Sequence, residues 1–137
     1  MKSDKNKIVQ SGKRKTAVAR ADIIEGNGII RLNKRDYKTL PFFDKLRIEE
    51  SIRIAKEVLG NVNFDVLITV KGGGQKGQIE AARIALSRAI VEFTKSKELK
   101  EAFLAYDRGL LVADVRRKEA YKPGDSKARS RRQKSYR

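Results

Sequence analysis

Groups able to do covalent chemistry are scarce in this sequence, and groups able to hold phosphate are abundant. Among its 137 residues there is no His and no Cys. That removes the commonest general base, the usual zinc ligand, thiolate metal sites and Cys nucleophiles. Against this stand 33 Lys+Arg and 17 Asp+Glu, a formal net charge of +16. The one stretch that resembles a catalytic loop is Lys71-Gly72-Gly73-Gly74-Gln75-Lys76-Gly77-Gln78. Consecutive glycines expose backbone N–H groups and lead into a helix start, an arrangement suited to an anion. Three meanings compete: a nucleotide cradle, a plain structural turn, and a contact to RNA phosphate. Gly72, Gly74 and Gly77 satisfy G-x-G-x-x-G, but that pattern is weak in a loop with four glycines. The phosphate-loop pattern fails, because Gln78 and Ile79 occupy the places of the required Lys and Ser/Thr. No catalytic residue, metal site, cofactor or small-molecule substrate is expected.

The charge is unevenly distributed. Residues 1–20 carry seven Lys/Arg and one acid, residues 21–115 carry sixteen and fourteen, and residues 116–137 carry ten and two. A nearly neutral body at 1–115, with a basic N-terminal segment, is thus followed by a polycationic tail at 116–137. Such a tail buries too little apolar surface to offset its ordering entropy and stays extended alone. A solubilising tail is one reading of it. Its Arg content favours bidentate phosphate contact instead. Acidic lipid is disfavoured because neither arm has the apolar face of an interfacial helix. No run of about 18 apolar residues spans a membrane, and no apolar stretch follows Met1 as in a secretory signal.

The elements that must position these groups follow from periodicity. Residues 16–24 read as a strand, Gly26-Asn27-Gly28 as a hairpin turn, and residues 29–32 as the return strand. Residues 33–41 read as loop. Asp44 can cap a helix carrying Ile48, Ile52, Ala55 and Leu59 on one stripe, stopped by Gly60. Phe64, Val66, Ile68 and Val70 alternate as the clearest strand, and Leu67 among its polar positions suggests a central place. A second helix carries Ile79, Ala82, Leu86, Ala89, Ile90 and Phe93, with alanines that permit close approach to a sheet. Ser96 can cap a third helix with Leu99, Ala102, Phe103 and Tyr106 inward, followed by an apolar segment at 110–113. The expected architecture is α+β: two layers, a mixed four-stranded sheet with helices packed on one face, plus the extended basic C-terminal tail.

Several of these segments also resemble a known family. The loop and helix Gly72-Gly73-Gly74, Gly77-Gln78, Ala81, Ala85 and Ser87-Arg88-Ala89-Ile90 are similar to the signature of the universal ninth protein of the small ribosomal subunit. Gly12, Arg14, Lys15, Thr16 and Ala19 match its strand entry, and Gly26, Gly28, Ile30 and Asn33 its hairpin. Asp114, Arg116, Gly124, Ala128 and Arg129 match its tail, with Val115 where a proline is often found. The ending Gln133-Lys134-Ser135-Tyr136-Arg137 resembles the archaeal and eukaryotic form.

The resemblance implies a non-enzymatic, cytoplasmic component of the ribosome. It would sit in the small-subunit head beside neighbouring head proteins, with its body on ribosomal RNA. It favours a patch at Lys13, Arg14 and Lys15, where the first strand begins. A solvated edge that discourages aggregation is the rival reading there. Phosphate contacts are also expected at Lys71, Gly72, Gly73, Gly74, Gln75, Lys76 and Gln78, and along Arg116, Arg117, Lys118, Lys122, Lys127, Arg129, Arg131 and Arg132. The family's tail threads toward the decoding region, so Lys134, Ser135, Tyr136 and Arg137 are expected at peptidyl-site tRNA. The twenty-two residues from Arg116 span roughly 70–80 Å when extended. A free-standing nucleic-acid binder or RNA chaperone would share the charge argument.

Overall fold

The computed structural model describes residues 7–121 and Pro123. Strands β1 (Ile8–Arg14), β2 (Ala17–Glu25), β3 (Ile30–Leu32), β4 (Arg35–Asp36) and β5 (Phe64–Lys71) form one mixed sheet in the order β1-β2-β5-β3-β4. β2 runs antiparallel to both β1 and β5, β3 is parallel to β5, and β4 turns back on β3. Burial alternates along the central strands. Ala17, Ala19, Ala21 and Ile23 of β2 and Phe64, Val66, Ile68 and Val70 of β5 point inward. Helices α1 (Phe42–Leu59), α2 (Gln75–Thr94) and α3 (Lys97–Tyr106) pack on that inner face, α2 lying across β1, β2 and β5. The fold is α+β with helices on one side of a mixed sheet.

Close approach of α2 to the sheet depends on small residues on both sides. Ala81, Ala82, Ala85 and Ala89 are fully buried. A Cβ on Gly12 of β1 would lie 2.3 Å from the Ala81 carbonyl oxygen and 2.6 Å from the Ala85 nitrogen. Between α1 and α2 the buried hydroxyls of Ser51 and Ser87 satisfy each other at 2.8 Å.

Several local expectations are corrected, and the sheet has five strands instead of four. Gly26-Asn27-Gly28 does not join paired strands, because β5 inserts between β2 and β3. An eight-residue register with β2 outweighs what three-residue β3 could offer. The turn is instead held from β5, where Asp65 Oδ1 accepts the N–H groups of Asn27, Gly28 and Ile29 at 2.9, 3.1 and 2.9 Å. The two-residue hairpin lies earlier, at Lys15-Thr16, with Lys15 at φ 54°. Lys13 and Arg14 therefore end a strand rather than begin one. Residues 33–41, read as loop, hold the fifth strand β4 after a tight turn in which Asn33 and Lys34 both have positive φ (49° and 68°), then a 3-10 turn at Tyr37–Thr39.

The helix limits are partly as expected. α1 begins at Phe42 with Pro41 at its N-cap, so Asp44 sits in the first turn, where a carboxylate meets the positive end of the helix dipole. Gly60 ends it at φ 79°. Ser96 caps α3 by accepting the Leu99 N–H at 3.3 Å. Tyr106 is exposed instead of inward, and of residues 110–113 only Leu110 is buried, in a 3-10 turn with no strand.

Candidate nucleic-acid interface

The register of the sheet collects basic residues that are far apart in sequence. Lys13 lies opposite Val18 on β2, and Val18 lies opposite Lys71 on β5. Lys15 occupies the β1–β2 turn beside them. The glycine loop folds over this turn: a Cβ on Gly72 would stand 2.7 Å from the Thr16 carbonyl oxygen, and one on Gly73 2.9 Å from the Ala17 Cβ. Both glycines have positive φ, 77° and 66°. They are glycine for reasons of fold.

Gly74 is different. Its φ is −91°, and a Cβ there would meet nothing within 4 Å. It forms the N-cap of α2 without a side-chain hydrogen bond, and the first helical bond is Gln78 N–H to the Gly74 carbonyl at 2.9 Å. The N–H groups of Gln75, Lys76 and Gly77 thus lack helical acceptors at an uncapped helix start. Gln78 is committed to the loop, donating through Nε2 to the Gly72 carbonyl at 3.0 Å.

The root of the tail reaches the same end of the molecule. Asp114 accepts the Arg116 backbone N–H at 2.9 Å and its guanidinium at 2.6–3.0 Å. These bonds hold the Asp114 carboxyl well below the usual carboxylate range and raise the Arg116 guanidinium above its ordinary value. Arg117 donates to the Lys15 carbonyl, tying the tail root to the β1–β2 turn. Lys118 lies over the Tyr121 ring, 4.6 Å from its centroid, with Nζ 2.8 Å from the hydroxyl.

Arg14 is turned inward. Its Nε meets Glu80 Oε2 at 2.7 Å and its Nη1 meets Asp114 Oδ2 at 3.3 Å, so it braces α2 and the tail root. That leaves Lys13, Lys15, Lys71 and Lys76 as cations without an ion pair among the described residues. Arg83 is held by Glu50 and Asp107. Arg88 clamps two carbonyls, Leu111 at 2.8 Å and Ser11 at 3.0 Å. Sequence reasoning missed the bracing roles of Arg14, Arg88 and Asp114. An isolated charge on a mostly apolar stretch hinted at Arg88 and Asp114, whereas Arg14, set between Lys13 and Lys15, carried no such signal. Lys122, Lys127, Arg129, Arg131, Arg132, Lys134, Ser135, Tyr136 and Arg137 lie outside the described residues.

Among the described residues no group of three or more acidic side chains is placed to hold a metal ion, and no helix is long and apolar enough to cross a membrane. The arrangement offers exposed ammonium groups and backbone donors, groups of a kind that suit an anion.

Comparison with known proteins agrees with this chemistry. The family model described as ribosomal protein S9/S16 matches residues 12–137. The small ribosomal subunit protein uS9 of Methanococcus vannielii is 51% identical over 135 residues, covering 96% of this chain and 99% of the relative. The same protein from Methanococcus maripaludis strain C7 is 50% identical over the same shares. The chain therefore belongs to the ribosomal protein S9/S16 family, in its archaeal type, a family of ribosomal structural proteins and not of enzymes.

Proposed function

We propose that this protein is a cytoplasmic, structural component of the small ribosomal subunit, docked in the head on ribosomal RNA beside neighbouring head proteins. The observation that carries the docking mode is convergence. Lys13 and Lys15 of the first hairpin, Lys71 at the end of β5, the Gly74 cap with Lys76, and the tail root at Arg116–Arg117 meet at one end of the sheet. Phosphate contacts there position the body and carry little sequence information. Residues 1–115 form the docked body and residues 116–137 the threading tail. Its last residues, Lys134, Ser135, Tyr136 and Arg137, contact peptidyl-site tRNA. The family membership supports this second assignment, together with a tail too basic to fold alone.

Two experiments test the reading. Sucrose-gradient fractionation of cell extract should place the protein with small subunits after a high-salt wash. Sedimentation away from subunits would favour a free-standing nucleic-acid binder. Deleting residues 135–137 should leave subunit assembly intact and weaken tRNA binding to isolated subunits, and an unchanged tRNA affinity across salt concentrations would refute the tail's role.

A further inference from the structure

Two of the protein's five phenylalanines are displayed on its surface beside the glycine loop. Phe42 and Phe43 are 68% and 76% exposed, with their rings edge to face at 5.5 Å. Both lie beside the buried stripe of α1, since steps of four and seven back from Ile48 reach Asp44 and Pro41. They therefore contribute nothing to the core. Across from them stands the start of α2, linked by a hydrogen bond from Gln75 Nε2 to Asp44 Oδ2 at 3.2 Å. Between the two helix starts runs a cleft of about 620 Å³ walled by Phe43 and Leu46 on one side and Gln75 and Lys76 on the other.

The charges around the cleft decide what fits it. Of its two acids, Glu50 is paired with Arg83, and Asp44 accepts a hydrogen bond from the neutral Gln75 amide. Arg47 borders it, sharing Glu80 with Arg14. Lys76 has no ion pair among the described residues. An aromatic face next to an unpaired cation and uncapped N–H groups complements a base joined to phosphate. An apolar protein segment would leave that cation and those donors without partners.

We propose that Phe42 and Phe43 form a stacking platform for an unpaired RNA base whose adjoining phosphate is held by Lys76 and the start of α2. This rests on the RNA-docking reading above and adds to it a preference for unstacked nucleotides at this one place.

The test titrates the full chain with a twelve-nucleotide oligouridine and with a twelve-base-pair RNA duplex. Replacing both rings (Phe42→Ala with Phe43→Ala) should weaken oligouridine binding by roughly tenfold or more and leave duplex binding nearly unchanged. The slope of affinity against salt should stay the same, since stacking releases no counterions. The thermal transition should not move, because both rings are exposed. Leucine at both positions should fail to restore binding, and tryptophan should restore it. Ultraviolet cross-linking of the wild-type protein to oligouridine should mark the peptide holding residues 42–43. Wild-type binding to RNA with no loss in the alanine variant would overturn the platform and leave the docking reading standing. Restoration by leucine would also overturn it, in favour of an apolar protein contact. Wild-type protein showing no salt-dependent RNA binding would overturn the docking reading itself.

Discussion

Substituting the glycines of the loop one at a time separates what the fold needs from what a ligand needs. At Gly72 an alanine would have to keep φ near 77°, in the left-handed region that costs an L-residue roughly 1–2 kcal/mol. Its Cβ would also stand 2.7 Å from the Thr16 carbonyl oxygen, a backbone atom that can retreat only by shifting the β1–β2 turn. Overpacking of this kind costs about 1–3 kcal/mol. Gly72→Ala should therefore lower unfolding free energy by about 2–5 kcal/mol, a large share of a domain stability of roughly 5–15 kcal/mol. Gly74→Ser meets no obstacle in space or in φ, and a serine at an N-cap gains a few tenths of a kcal/mol over glycine. Its hydroxyl would, however, accept an N–H at the start of α2 and compete with phosphate for it. Gly74→Ser should thus unfold in urea at the wild-type midpoint or slightly above it. It should bind small-subunit RNA about tenfold or more weakly, the worth of a charge-assisted hydrogen bond. Wild-type RNA affinity in Gly74→Ser would refute the phosphate role of this helix start. A loss below about 0.5 kcal/mol in Gly72→Ala would refute the steric argument.

Three further outcomes are expected. Gly12→Ala forces a Cβ against backbone atoms of α2 at 2.3 and 2.6 Å and should destabilise by about 3 kcal/mol, at the top of the overpacking range, measured by denaturant unfolding. Asp65→Ala removes the acceptor of three backbone N–H groups and should cost about 1–3 kcal/mol, with faster amide exchange confined to residues 27–29 in the early time points. Tyr37 has its phenol raised above the ordinary value by burial, aided by Glu49 and Asp36. In the folded state it stays protonated while the unfolded chain ionises. The contribution of Tyr37 to stability should therefore be flat below about pH 10 and fall as pH rises beyond it, and Tyr37→Phe should remove that part of the fall.

What the sequence reveals depends on how local the cause is. β5 is legible because its period-two pattern reports its own burial, and Gly60 and Ser96 are legible because caps act within a few residues. The small-residue stripe on α2 signals close packing, and Gly12 is its counterpart across the interface. β1 escapes notice because its inward positions are Ile8, Gln10, Gly12 and Arg14, three of which look polar or turn-forming. The pairing of β3 escapes for a different reason: a turn reports a chain reversal, and which strand fills the neighbouring place is settled by competition between distant segments. At the site, the lysines and the loop are legible as residue types, and their convergence is not. Arg14 looks like a phosphate ligand until Glu80 and Asp114, 66 and 100 positions away, arrive beside it.

The proposed docking sets one end of the sheet against the RNA. Its most direct measurement is the affinity of the protein for small-subunit RNA as a function of salt, for the wild type and for two four-fold variants. Lys13→Gln, Lys15→Gln, Lys71→Gln and Lys76→Gln together should make the slope of log affinity against log salt shallower by about three, at roughly 0.7–0.9 for each phosphate left without its lysine. Lys38→Gln, Lys56→Gln, Lys95→Gln and Lys97→Gln, which remove the same charge from other surfaces, should leave the slope close to the wild-type value. Equal slopes for the two variants would contradict the claim.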